Sequence, residues 1–545
     1  MKISRLIFLL IAGIFSYNAA NACTNFIVTK AASSDGSAYL TYTNDAEWLY
    51  HLKKKPSADH KLGDSVSYSS RKKVKGKIPQ VPHTNAIVGF HINEFQVSIG
   101  ETTFVGREDL WNHSKYIEYW HFMSLALERA KSAREAVEVI TSIADKYGYA
   151  SEGESFSIAD PNEAWILEMV GTGTGGEGAI WVAMKIPEGY ISGHANMSRI
   201  GEFPLDDPEN CLYSKNVIKF AVEKGYYNPK SGQAFRFNEA YNPATPERLK
   251  YCESRVWSMF RRAAPSLNLS ADYHRGVSGA KRYPLWIKPD KKLELKDVIS
   301  IMRDHYEDTL FDMTAGIEAG PFGNPNRNRP LSYEIAREQY SWERPISTYN
   351  TSWSFIAQMR SFLPDEIGGL IWFGEDDTYF TCYTPIYSCA TSIPKSFHTG
   401  SLKQFRSDCA WWIFNLVSNY TNLRWSDAVK DVQKVQSEIE NKVIARQKAI
   451  ESAALELYKT DKKLASEFLT DYTAGQTSSM MMKWTDLAYF LISKYNDGYV
   501  KNQKGQPETV GYSEEWLKKI IKLEPKKFKI PVWDENPKSD EYKPF

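Results

Sequence analysis

The sequence predicts a mixed α+β fold, strands first and helices last, on three observations. TNFIVTK (24–30) and SAYLTYT (37–43) are short, β-branched and aromatic, and they flank the turn signal SSDG (33–36). A second hairpin pattern, FSIAD-PN-EAWILEMV (156–170), turns at Asp160-Pro161-Asn162. Beyond about residue 400 the apolar period becomes helical, with Val429, Val432, Val435, Ile439, Val443 and Ile450 along one long amphipathic stretch, 425–458. At 545 residues the chain can bury a large core and is expected to fold as more than one unit.

The elements follow in chain order. Lys2 and Arg5 precede the apolar run LIFLLIAGIF (6–15), and Ala20-Asn21-Ala22 fits a small-x-small cleavage site. Residues 1–22 therefore read as a signal peptide cut before Cys23. The apolar run is too short for an ordinary membrane span, and no later uninterrupted run approaches the required length. After the first hairpin, NAIVGF (85–90) and QVSIG (96–100) read as strands. Residues 117–131 carry apolar groups at helical spacing. Ser132 and Glu135 form a capping-box pattern before AREAVEVITSIADKY, which should stop at Gly148. AIWVAMKI (179–186) is a further strand and LKDVISIMRDHY (295–306) a further helix. The expected organisation is a body over 23–400, a helical region over 401–500 packed on it, and a surface tail over 501–545 rich in Lys, Pro and Asp. SIPKSFHTGSLKQF (392–405) is the predicted linker. No internal repeat is visible.

Composition excludes little but excludes it usefully. Sixty-seven Lys and Arg against 66 Asp and Glu leave a formal charge of +1, which gives no support for a nucleic-acid partner. Aromatics make up 14% of residues, which suits either a well-packed enzyme or a glycan-binding surface protein. The six cysteines are too few for a disulfide scaffold and match no zinc spacing. Their pairing stays open.

Most short motifs take the ordinary interpretation. GTGTGG (171–176) spells the dinucleotide fingerprint but lies between two strand patterns, without the helix whose N-terminus would meet a pyrophosphate, so it is expected to be a loop. No HExxH or GxSxG occurs; GESFS (153–157) lacks the closing glycine. His194, in SGHANMSRI, is expected to be a buried structural histidine.

Cys23 admits three roles. It could be structural, or lipidated as in bacterial lipoproteins, although Ala20 stands where such a signal prefers Leu. Or it could be a nucleophile. Cleavage before Cys23 would put a thiol and a free α-amine on one residue. An α-amine titrates at about 7.7–8.0 and a thiol at about 8.5, so near neutrality a proton passes between them at little cost. One residue then supplies nucleophile and base. The first hairpin would return Asn44 and Asp45 to the new terminus, where Asp45 could orient the amine.

At this point the residues resemble a known family. The stretch CTNFIVTKAASSDGSAYLTYTND is similar to the mature N-terminus of the cysteine dipeptidases of the dipeptidase A type, which are N-terminal-nucleophile hydrolases. NEFQVSIGETTFVGREDL (93–110), YGYASEGESFSIADPNEAWILEM (147–169), SGHANMSRI (192–200), SRVWSMFRRAAPSL (254–267), PDKKLELKDVISIMRDHYEDTLFDMTAG (289–316) and LPDEIGGLIWFGEDDTYFTCYTPIY (363–387) look like family blocks in family order. The resemblance implies a four-layer αββα fold and hydrolysis of dipeptides with no metal or organic cofactor. It implies roles for Cys23 as nucleophile and Asp45 as the acid near its amine. It further implies Asn93 as an oxyanion donor, Asn196 as a second Asn near the amine, and Arg255 as an Arg near the thiol. The chain departs from the family at one point: many relatives carry Arg before the Asn-Asp pair and a further acid after it, where Thr43 and Ala46 stand here. Substrate preference is what that departure touches most. The expected product is an exported protein, periplasmic or secreted, acting on dipeptides. The alternatives are an amidase of the penicillin V acylase or bile-salt hydrolase type, and a lipid-anchored surface binding protein with Cys23 acylated. Side-chain preference and oligomeric state are not encoded legibly.

Overall fold

The computed structural model describes residues 22–530 and residue 532. The predicted signal peptide, apart from residue 22, and the end of the predicted tail lie outside the described residues.

Strands β1 (Ala22–Val28) and β2 (Ala38–Asp45) form the first hairpin. Its connection is longer than the SSDG signal suggests, because a 3-10 turn at Lys30–Ala32 comes first. Gly36 takes φ +76°, and the Asp35 carboxylate closes the turn by accepting from Ser37 N at 3.0 Å and Tyr39 Oη at 2.8 Å. The strand predicted at 85–90 shrinks to Ile87–Val88, whereas the next one lengthens to β3 (Ser98–Phe104). Helices α1 (Tyr119–Arg129) and α2 (Ala133–Tyr147) follow. Ser132 Oγ accepts from Glu135 N at 3.2 Å, and α2 stops at Gly148 with φ +78°. Strands β4 (Gly153–Ala159) and β5 (Ala164–Val170) make the second hairpin, where Asp160 Oδ1 accepts from Asn162 N at 2.6 Å. The chain continues through β6 (Ile180–Lys185), β7 (Ile191–His194), α3 (Pro246–Ala263) and α4 (Leu295–Met302). Then come β8 (Trp353–Met359), β9 (Leu370–Glu375) and β10 (Thr384–Tyr387). Helices α5 (Ala410–Asn422), α6 (Trp425–Thr460) and α7 (Lys462–Tyr495) complete the packed part, and α8 (Glu514–Leu523) buries no residue.

The strands assemble into two large antiparallel sheets. One has seven strands in the order Trp286–Ile287, β7, β1, β2, β8, β9, β10. The other has eight, in the order Cys211–Tyr213, β6, β5, β4, β3, Ile92–Asn93, Ile87–Val88, Lys54–Lys55. Successive side chains of a strand point to opposite faces, and β1 divides its residues accordingly. Cys23 and Ile27 join a core with Leu40, Tyr42, Phe355 and Ile99. Phe26 and Val28 join another with Val256, Met259 and Phe260 of α3, Val298 and Met302 of α4, and Val443 of α6. The seven-stranded sheet thus faces β3 on one side and helices on the other. Helices α1 and α2 pack on the eight-stranded sheet, where Phe122 and Phe156 meet edge to face at 6.3 Å. Gly100 on β3 permits the close approach of the sheets: a Cβ there would stand 3.0 Å from Asn25 Nδ2 and 3.2 Å from Tyr42 Cβ.

The C-terminal helices lie on the body through two well-buried ion pairs from α6. Glu440 binds Arg303 and Glu451 binds Arg360, each at 2.6 Å. Residues 171–176 form a loop between β5 and β6, as their setting predicts. All six cysteines are free thiols.

Candidate active site

The site is built at the start of β1. Strand register sets Cys23 opposite Asn44 and residue 22 opposite Asp45, so the hairpin returns both residues to the position that the sequence spacing indicates. Cys23 is completely buried. Its thiol lies 3.3 Å from Glu101 Oε1 and 3.9 Å from Tyr42 Oη. Tyr42 donates its own hydroxyl proton to Glu101 in a short hydrogen bond. Burial pushes the Cys23 thiol well above its ordinary range, and the Glu101 and Asp45 carboxylates push it further; a backbone hydrogen bond from Asp45 works the other way.

The opposite face of the hairpin is cationic. Arg255, buried in α3, donates from Nη1 to the Cys23 carbonyl and to Thr24 Oγ1, both at 2.8 Å. Its Nη2 donates to Asn196 Oδ1 at 2.9 Å and to the Ala195 carbonyl at 3.2 Å. Asn196 has φ +61° and passes its Nδ2 proton to the Thr103 carbonyl at 2.7 Å. Arg255 and Asn196 therefore come together at Cys23. The guanidinium, however, grips the backbone of Cys23 and not its sulfur, because the carbonyl and the thiol leave β1 in different directions.

Asp45 is held by three donors. Arg344 makes a short ion pair with Oδ2, Thr43 Oγ1 donates to the same oxygen at 3.1 Å, and Thr351 Oγ1 donates to Oδ1 at 2.7 Å. Burial alone would lower the Arg344 pKa, and the Asp45 charge beside it reverses that and raises it. Arg344 also disfavours charge on Arg255, after burial, so the two guanidiniums act on one small region. Arg344 thus places a positive charge beside Asp45, two residues along β2 from Thr43.

Asn93 does not serve the site as expected. Its Nδ2 donates to the Leu127 and Ala130 carbonyls, at 2.9 and 2.8 Å, and its Oδ1 accepts from Phe95 N and Val97 N. Both amide protons are spent on the C-terminal carbonyls of α1, which lack helical partners of their own, so neither is left for an oxyanion. His194 is fully buried, 3.5 Å from Glu168 Oε1, and burial lowers its pKa.

Sequence reasoning missed Tyr42, Glu101, Glu154 and Arg344. Glu101 had a signal, a charged residue in the middle of the strand SIGETTF. Arg344 had none, since it lies in an irregular segment far along the chain.

The profile of Peptidase family C69 matches residues 22–438. A protein of Latilactobacillus sakei named "Probable dipeptidase" is 26% identical over 467 residues, covering 80% of this chain and 89% of that one. A "Probable dipeptidase" of Salmonella dublin is 27% identical over 385 residues, 67% of this chain and 81% of its own. A "Probable dipeptidase A" of Streptococcus pyogenes serotype M3 is 24% identical over 484 residues, covering 85% and 96%.

Proposed function

The chain belongs to peptidase family C69, and from that membership and the surroundings of Cys23 we propose that it is an exported cysteine dipeptidase, activated when its leader is removed. The two facing sheets with helices packed on them support the four-layer αββα arrangement of N-terminal-nucleophile hydrolases. The observation that carries the proposal is the position of Cys23. It follows Ala20-Asn21-Ala22 directly, opens an interior strand, and has its carbonyl fixed by Arg255 at 2.8 Å.

In the proposed reaction the α-amine freed at Cys23 takes the thiol proton as sulfur attacks the scissile carbonyl carbon. The C–N bond breaks, the ammonium returns the proton to the leaving amine, and a thioester remains. Water, deprotonated by the same amine, hydrolyses it. Asp45, across the register from residue 22, and Asn196 hold the new terminus. Arg255 and Arg344 position that end of the hairpin. The Asp45 backbone N–H, which favours the thiolate form of Cys23, is the donor we assign to the oxyanion; loss of such a donor typically costs ~10²–10³ in rate.

Before cleavage the base is an amide and cannot accept a proton. Intact mass of the exported chain, together with a panel of dipeptides and acyl amides, tests the proposal. A chain starting at unmodified Cys23 that turns over dipeptides supports it. A diacylglyceryl adduct on Cys23, full activity of an untrimmed leader-bearing chain, or turnover of acyl amides alone would overturn it.

A further inference from the structure

Two buried carboxyl groups, one against the Cys23 thiol and one a step beyond it, are not used by the proposed chemistry. Glu101 touches the sulfur at 3.3 Å. Glu154, on the neighbouring strand, is joined to it through Thr103, whose hydroxyl donates to Glu154 Oε2 at 3.0 Å and approaches Glu101 Oε2 at 3.5 Å. Both carboxyls are completely buried. No ion pair neutralises either of them among the described residues. Glu154 Oε1 is buried and meets no hydrogen-bond donor from another side chain or backbone among the described residues, apart from the proton it can share with Glu101. A buried carboxyl without a donor is expensive, and a native fold retains one where something else supplies the missing partner. Burial, and then Glu101 beside it, hold the Glu154 carboxyl far above the carboxylate range, so it keeps a proton until a cation takes that proton's place. Arg71, whose guanidinium lies over the Tyr119 ring, is turned to other partners. It lies 3.6 Å from Glu118 and stacks over Trp120 at 4.8 Å.

The geometry of a dipeptide says which cation fits. Its α-ammonium is attached to the carbon next to the scissile carbonyl. Attack requires sulfur and carbonyl carbon about 3–3.5 Å apart, which brings the ammonium within a few ångströms of Sγ. Any substrate that reaches the thiol therefore meets Glu101. An acylated amine at the same place would offer the two carboxyls one neutral N–H and no charge, and an alkyl chain would offer nothing. Resting on the dipeptidase proposal above, we propose that Glu101 and Glu154 form the subsite for the free α-ammonium of the substrate, with Glu154 Oε1 as its open acceptor, and so restrict the enzyme to unblocked dipeptides.

The experiment compares an unblocked dipeptide, L-Ala-L-Ala, with its N-acetylated form, on the wild-type chain and on Glu154→Gln, which keeps the size of the side chain. The wild type is expected to favour the free amine by at least ~10² in kcat/KM, since a charge-assisted contact in a desolvated site is worth that much. Glu154→Gln is expected to reduce the preference at least tenfold, chiefly through KM for the dipeptide, with turnover of the acetylated form unchanged or raised. Equal use of both substrates by the wild type, or an unchanged preference in Glu154→Gln, overturns the subsite while leaving the dipeptidase proposal standing. Absence of any dipeptide turnover in the wild type overturns both. Should Glu154→Gln fail to fold, Glu154→Asp, which withdraws the carboxyl by one methylene, is expected to show the same loss of preference, and an unchanged preference there is equally decisive.

Discussion

Arg344 and Asp45, 299 residues apart in sequence, form an ion pair in which the side chains are 1% and 0% exposed. It fastens an irregular segment of the late chain to the end of β2 beside Cys23. Removing one partner of a buried pair leaves the other charge without compensation. Arg344→Met is therefore expected to cost about 3–5 kcal/mol, measured by denaturant unfolding. Arg344→Met combined with Asp45→Asn should cost less than the sum of the two single changes. Strict additivity would show that the pair does not couple.

Thr43→Arg tests whether Arg344 replaces the arginine that relatives carry there. The new guanidinium would enter a region already holding Arg344 and Arg255, beside an Asp45 carboxylate that Arg344 already engages. Loss of both stability and kcat is expected from Thr43→Arg alone, and partial recovery when Arg344→Ala is added. A double variant no better than the single one would separate the two positions.

Arg255 grips backbone, and this yields a distinguishing measurement. Arg255→Lys cannot reproduce four hydrogen bonds fanned over two nitrogens. The shift it permits in Cys23 is expected to lower kcat by about 10²-fold. The pH profile of thiol alkylation should stay where it is. A rise in the thiol pKa of the variant would mean that the guanidinium stabilises the thiolate directly.

Glu101 has the opposite signature. After burial it is the largest influence raising the Cys23 pKa, as a like charge beside the thiolate and as acceptor of the thiol proton. The charge effect, the larger of the two, vanishes in Glu101→Gln, so alkylation of Cys23 by iodoacetamide should proceed at lower pH than in the wild type. An unmoved or upward-shifted profile would contradict the contact.

Asp376 predicts a pH dependence of stability. It is buried, its Oδ2 has no partner among the described residues, and burial, outweighing the Asn415 hydrogen bond, raises its pKa to about 8. An unfolded aspartate titrates near 4. Between these values the folded chain binds the extra proton, so this group makes stability fall as pH rises from about 4 to about 8. Asp376→Asn should flatten the unfolding free energy across that window, with its largest relative gain at the alkaline end. An unchanged slope would remove Asp376 as its source.

Local patterns carried much of the fold. The two hairpins are legible because turn residues and alternating strands act within a dozen residues of each other, and the long helix because its apolar spacing is periodic. The strand predicted at 85–90 shrank because pairing depends on which neighbour arrives, and the opening turn lengthened because Asp35 organises its own hydrogen bonds.

By itself the sequence determined the family, the hairpin that brings Asp45 back toward Cys23, and the identity of Cys23 as the residue to examine. These are matters of short spacing and of extended blocks in order. Tertiary structure alone decided that Arg344 pairs with Asp45 beside Cys23, that Asn93 spends its amide on α1, and that Glu101 lies against the thiol. Those outcomes depend on which buried donors and acceptors meet across sheets and loops. A buried charge or polar group must find its partner wherever the chain supplies one, and nothing in sequence distance constrains where that is.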